Sequence, residues 1–142
     1  MAEPHDANCV FCKIVAGTIP CFKLHETDDA LAFMDINPAN EGHCLVIAKA
    51  HHPTILDLPP ELFARLAPVI HKVAGAVWRT VQPDGMNLVQ ANGKGAAQSV
   101  PHFHVHVLPR RLGDQLDFNW IPKPGDMDRI GALAARIREH IA

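Results

Sequence analysis

Residues 101 to 109 read PHFHVHVLP, with imidazole and apolar side chains taking turns at every second position. That period is the period of an extended strand and of no helix, because successive side chains of a strand point to opposite faces. His102, His104 and His106 therefore share one face, and Phe103, Val105 and Val107 share the other. The apolar face seals a core, and the imidazole face is left for other work. A chain carrying this strand must build a sheet with at least one packed side.

The neighbouring segments supply such a sheet. FKLHE (22–26), ALAFMDI (30–36), HCLVIAK (43–49) and MNLVQA (86–91) are strand-length runs, and the breaker-rich NPANEG separates the second from the third as in an antiparallel pair. Pro59 and Pro60 open a helical pattern in which Leu62, Leu66, Val69, Val73 and Val77 recur at spacings of three and four, running to about Thr80. Pro68 removes a backbone donor inside it, which predicts a kink or an early break. A last helix over about 126–141 places Ile130, Leu133, Ile137 and Ile141 on one face. Hairpin-like pairs around one long helix predict an α+β fold: a five-stranded antiparallel sheet with a long central helix and a C-terminal helix. At 142 residues, 48% of them hydrophobic, one domain spanning 1–142 is expected.

Charge narrows the partners. The formal net charge is −2, and no basic block of the kind that tracks a nucleic-acid backbone occurs, so a nucleic-acid polymer is not an expected partner. No charged-then-apolar leader and no apolar run near the roughly 20 residues of a membrane span are present, which predicts no membrane association and a cytoplasmic location. There Cys9, Cys12, Cys21 and Cys44 stay reduced, and a close cysteine pair suggests a metal before a disulfide.

Three histidines along one strand do not share one ion easily. Positions 102 and 106 lie about 13 Å apart along the backbone, whereas zinc needs its ring nitrogens about 2.0 to 2.1 Å from one point. The histidines must divide their labour. Neutral imidazole is a competent nucleophile near pH 7 and forms a phosphoramidate on attacking phosphorus. His104, in the middle, is the natural attacker, and His106 on the same face can donate to phosphate oxygens. The loop NGKGAAQS upstream offers Gly93 and Gly95 for close backbone approach, then Gln98 and Ser99 as donors where charge would build up. Its GKGAA lacks the spacing and hydroxyl of a Walker motif.

The string QSVPHFHVHVLPR resembles the signature of the histidine triad superfamily, and CVFCKIVAGTIP, FMDINPANEGHCLVIAKAHH and MNLVQANGKGAAQSV resemble that family's other blocks, over about residues 9–112 with a C-terminal extension over about 113–142. Within it, the chain is most similar to the purine nucleoside phosphoramidases and related bacterial proteins. The resemblance implies a homodimer joining two five-stranded sheets and a hydrolase of nucleoside 5′-phosphoramidates or related AMP derivatives. It implies a covalent histidyl-nucleotide intermediate on His104, with His106 contacting the phosphate, Gln98 and Ser99 binding phosphate oxygens or the leaving group, and Asp35 accepting from the ribose hydroxyls. Ile36, Phe11 and Ile14 would line the base pocket, and His43 would lie near the triad. Where many relatives carry Asn or Gln, this chain has Ala91, so Asn92 or Gln90 is expected to make that contact. Trp120 corresponds to a tryptophan that reaches the partner subunit's site in the phosphoramidases.

Cys9-x-x-Cys12 alone is half of a tetrahedral zinc set. The resemblance completes it with His51 and His102, a closed set that implies a structural Zn²⁺. Cys21 and Cys44 read as small buried residues. His52 reads as solvated, and His5, His25, His71 and His140 are given no functional role. Three rival readings stand beside the phosphoramidase: a dinucleoside polyphosphate hydrolase, a nucleotide-binding scaffold with weak hydrolysis, and a zinc hydrolase using metal-bound water.

Overall fold

The protein is described by a computed structural model covering residues 3–117 and 121–141. A short helix α1 (Val10–Val15) precedes strands β1 (Lys23–Glu26), β2 (Ala30–Met34) and β3 (Cys44–Ala48). Helix α2 (Pro60–Val81), strand β4 (Gly85–Val89), strand β5 (His104–Arg110) and helix α3 (Met127–Glu139) follow. The strands form one sheet in the order β1-β2-β3-β5-β4, and every neighbouring pair is antiparallel. The α+β reading of the sequence holds, and β5 with its histidines is an interior strand.

Alternation along the three inner strands builds two cores. Ala30, Ala32, Cys44, Val46, Ala48, Val105 and Val107 pack against α2, while Leu31, Phe33, Leu45 and Ile47 pack on the opposite side with Phe11 and Cys12 of α1. Both faces are covered, so β2 and β3 read as nearly unbroken apolar runs instead of strict alternation. Small side chains dominate the α2 face, which lets the helix bed closely. The α2 stripe Leu62, Leu66, Val69, Val73 and Val77 is buried as its spacing predicts, each side chain stabilising the fold by about 2 kcal/mol.

Pro68 does not break α2, contrary to the expectation. The helix runs unbroken from Pro60 to Val81, because Pro68 and Ala64, whose carbonyl loses its helical donor, both lie on the exposed side where water can replace the bond. Strand β5 also begins two residues later than the alternation suggests. His102 sits in a bend, with its backbone N–H donating to Val100 O at 2.8 Å.

The loop from β2 to β3 is fastened to the far end of β5. Asn40 Nδ2 donates to Pro109 O and to Asp114 Oδ2, at 2.9 and 2.8 Å. Arg110 grips the same carboxylate through Nε at 2.7 Å, and holds the Asp114 carboxyl well below the usual carboxylate range. Gly42 in this loop has φ +88°, and a Cβ there would lie 2.7 Å from Val81 Cγ2, so only glycine fits. Helix α3 starts where Asp126 accepts from the N–H groups of Asp128 and Arg129. Its Ile130, Leu133 and Ile137 form the expected face and are exposed, while the helix ends at Glu139, short of Ile141. No helix among the described residues is long and apolar enough to cross a membrane.

Candidate functional site

On the α1 side of the sheet a cavity of about 450 Å³ opens between α1, the β2–β3 loop and the start of β5. Val10, Phe11, Ile14 and Ile36 form the apolar lining; Asp35, Ser99, His104 and His106 bring the polar atoms. A volume of this kind, mostly apolar with a few converging polar groups, suits a small organic ligand.

Hydrogen bonds settle which nitrogen of each ring carries the proton. His104 is buried, and its Nδ1 lies 2.7 Å from the carbonyl oxygen of His102. A carbonyl only accepts, so Nδ1 carries the hydrogen and Nε2 keeps a lone pair. Burial lowers the His104 pKa from 6.5, which keeps the ring neutral and nucleophilic at pH 7. At His43 the logic runs the other way. The Ala39 N–H donates to His43 Nδ1 at 3.0 Å, so the neutral ring carries its hydrogen on Nε2. That hydrogen points to His106 Nδ1 at 2.9 Å, leaving the His106 proton on Nε2. Burial, with His104 and His43 close by, pushes the His106 pKa down to about 4, so it acts as a neutral donor. The sheet thus presents a lone pair at His104 beside an N–H at His106, with ring centroids 4.9 Å apart.

Asp35 faces the same cavity, its carboxylate accepting the Asn37 N–H at 2.8 Å and lying 3.6 Å from His43 Nε2. Ile36 stands at the mouth, three-quarters exposed.

A second cluster lies behind α1. His102 Nδ1 is 3.4 Å from Cys9 Sγ and 3.7 Å from Cys12 Sγ, and His51 Nδ1 is 3.4 Å from Cys12 Sγ and 3.3 Å from His102 Nδ1. Zinc–nitrogen and zinc–sulfur bonds of about 2.0 to 2.3 Å at tetrahedral angles put ligand atoms roughly 3.3 to 3.8 Å apart. The spacing fits, and so does the tautomer. His102 Nε2 lies 2.6 Å from Ala48 O and must donate to it, which aims the Nδ1 lone pair at the thiols. Burial above all, with Cys9 and the Asp6 carboxylate close by, raises the Cys12 pKa, so a dication would be the natural partner of its thiolate. Four protein donors leave no open position, the mark of a structural site.

Asp35, His43 and His106 also bring three ligand atoms within 4.8 Å of one another. Here the hydrogen bonds argue against a metal. Coordination through His43 Nε2 would move its proton to Nδ1, against the Ala39 N–H.

Most of the sequence-predicted residues thus gather in two adjoining places. Gln98 and Asn92 do not reach the cavity wall. Gln98 donates to Pro53 O at 2.6 Å and accepts from the Gly93 N–H at 2.7 Å, while Asn92 accepts from the Ile55 N–H at 2.7 Å and pairs with Gln90. Both shape the loop that carries Ser99. Trp120 lies outside the described residues. Sequence reasoning missed Asp6, which lies 3.9 Å from His51 Nε2 and gives its N–H to Cys12 Sγ at 3.4 Å, and it missed Cys21 in the cavity wall. An acidic residue just before a CxxC was the available signal for Asp6.

The HIT domain family model matches residues 16–113. The chain belongs to the HIT domain family. Among curated HIT relatives, an adenosine 5′-monophosphoramidase of Schizosaccharomyces pombe is 40% identical over 135 residues, covering 94% of this chain and 98% of that protein. An adenylylsulfatase of Arabidopsis thaliana is 39% identical over 109 residues, 77% of this chain, and the match spans only 55% of that longer protein. A solved HIT family protein from Bacillus anthracis is 37% identical with a TM-score of 0.89, covering 96% of this chain and 99% of that one. A zinc-bound histidine triad family protein from Mycobacterium smegmatis is 38% identical with a TM-score of 0.72, covering 94% and 97%.

Proposed function

We propose that this HIT domain hydrolyses nucleoside 5′-phosphoramidates or related AMP derivatives through a covalent histidyl-nucleotide intermediate. The observation that carries the reading is the paired tautomers: a lone pair on His104 Nε2 next to a hydrogen on His106 Nε2. In the first step His104 Nε2 attacks phosphorus, the new N–P bond forms as the substrate's P–N bond breaks, and the departing amine takes a proton from solvent water, which the water consumed in the second step returns. His106 Nε2–H and the Ser99 hydroxyl donate to the phosphate oxygens, where charge builds up. Water then attacks the same phosphorus, the His104 N–P bond breaks, and nucleoside monophosphate leaves. Asp35 accepts from the ribose hydroxyls, and Phe11, Ile14 and Ile36 flank the base; His43 acts on the phosphate through His106. Gln98 and Asn92 support the loop beneath Ser99.

Cys9, Cys12, His51 and His102 would hold a structural Zn²⁺, whose chemistry is to brace α1 and the 99–104 segment. The protein acts as a cytoplasmic homodimer in this reading. The nucleotide part of the reading is supported by relatives named adenosine 5′-monophosphoramidase and adenylylsulfatase, and the zinc part by the zinc-bound neighbour. The test is turnover of adenosine 5′-phosphoramidate by His104→Ala, with bound zinc assayed in the same sample. Loss of turnover with zinc retained is expected, and undiminished turnover would overturn the mechanism.

A further inference from the structure

Helix α1 belongs to both sites. Cys9, its N-terminal flank, and Cys12 reach the metal cluster, while Val10, Phe11 and Ile14 line the cavity. The helix has six residues and no side-chain cap, so it is too short to hold itself together and depends on what it touches. A second connection runs through the chain at His102, whose ring faces the cysteines and whose carbonyl holds His104 Nδ1. Phe11 closes the circuit. Its ring meets the edges or faces of His102 at 5.7 Å and His104 at 5.1 Å, nearly perpendicular to both, and Phe11 is buried and lies between Cys9 and Cys12 in the chain.

From this arrangement we infer that metal occupancy of the Cys9, Cys12, His51 and His102 cluster and nucleotide occupancy of the cavity are thermodynamically linked, with Phe11 as the positioning residue between them. The inference rests on the nucleotide reading above. A metal that fixes Cys9 and Cys12 sets the Phe11 wall before nucleotide arrives, and nucleotide packed on that wall holds the cysteines in place. Each ligand removes part of the ordering cost the other would meet, which makes the coupling positive without any large movement. Linkage requires the two effects to be equal.

The experiment titrates zinc-loaded full-length protein with a coloured zinc chelator, with and without saturating AMP. AMP should tighten zinc binding by at least about fivefold, and zinc should tighten AMP binding by the same factor in calorimetry of loaded and chelated protein. A smaller change in zinc affinity with AMP demonstrably bound overturns the linkage and leaves the nucleotide reading standing. Absence of AMP binding to the loaded protein defeats the nucleotide reading, and this inference with it. Phe11→Leu, which keeps an apolar side chain but loses the ring edges, should bring towards one the ratio of its own zinc affinities with and without saturating AMP. An undiminished factor in that variant overturns the role of Phe11; Phe11→Met, closer in volume and also without the ring, makes the same test if Phe11→Leu does not fold.

Discussion

The carbonyl oxygen of His102 accepts the Nδ1–H of His104 at 2.7 Å while the His102 ring faces Cys9 Sγ at 3.4 Å. One residue therefore serves the proposed nucleophile with its backbone and the Cys9–Cys12–His51 cluster with its side chain. The two substitutions should separate these duties. His104→Ala removes the attacking nitrogen and should lower kcat by at least about 10³-fold with zinc retained. His102→Ala keeps the carbonyl and loses a ligand, so zinc content should fall and kcat should drop by only about 10- to 100-fold. Elemental analysis and steady-state rates on the same preparations check both. Equal losses of kcat would show that the backbone contact does not orient the nucleophile.

His43 reaches the cavity through another ring. Its Nε2 hydrogen holds His106 in the tautomer that donates from Nε2, so His43→Ala frees His106 to place its proton on either nitrogen. A loss of about 10- to 100-fold in kcat is expected, as for other partners that orient a working imidazole. Nitrogen chemical shifts of His106 should move from a single tautomer to a mixture. A rate loss without that spectral change would make His43 merely structural.

Acid should act on rate and stability with the same sign. Protonation of His104 removes its lone pair, and burial lowers its pKa, so kcat/KM should fall on acidification with a midpoint below that of a free imidazole. For stability, His106 titrates near 4 when folded and near 6.5 when unfolded. Between those values the unfolded chain binds a proton that the folded chain refuses, so acid favours unfolding. The contribution is complete above pH 6.5 and is lost as the pH falls towards 4. Denaturant midpoints across this window check it; a midpoint that rises on acidification would contradict the burial of these rings.

Much of this was legible in the sequence because two periods are physical. Leu62, Leu66, Val69, Val73 and Val77 could only be a helix stripe, and the alternation at 102–107 assigned His104 and His106 to the face opposite Val105 and Val107, as the sheet has them. What the residue letters do not carry is where backbone atoms go. The tautomers depend on Ala48 O, His102 O and Ala39 N–H, groups every residue type has, and only the folded chain brings them to the rings. Gln98 and Asn92 looked like cavity donors for the same reason: their amides fit the chemistry, yet the loop's own carbonyls and N–H groups take them. Pro68 was misleading because its cost depends on which side of α2 loses the bond.

Asp35 should be felt in sugar recognition. A carboxylate that accepts from ribose hydroxyls contributes about 1.5 to 3 kcal/mol per charged hydrogen bond, so Asp35→Ala should weaken AMP binding by roughly 10- to 100-fold. The same variant should erase the preference for AMP over its 2′-deoxy counterpart. Calorimetry with both nucleotides reads the two effects together. A preference that survives in Asp35→Ala would place ribose recognition elsewhere.

Gly42 tests how the loop holds His43 from behind. At φ +88° an alanine meets the left-handed penalty of about 1 to 2 kcal/mol. Its Cβ would also stand 2.7 Å from Val81 Cγ2 and 3.1 Å from Pro109 Cγ, both on elements that cannot retreat without opening the α2 core. Overpacking of this kind adds about 1 to 3 kcal/mol, so Gly42→Ala should lower Tm by about 5 to 10 °C. Gly95→Ala is the matched control, since a Cβ there meets nothing within 4 Å and the backbone is not left-handed. Relief of the clash pushes residue 42 away from α2, and His43 is covalently next to it, so the His43 Nε2 to His106 Nδ1 contact of 2.9 Å should lengthen and kcat should fall at 25 °C as well. Equal thermal midpoints for the two variants would show that the loop yields freely, and that its seat against Val81 and Pro109 does not position the imidazole relay.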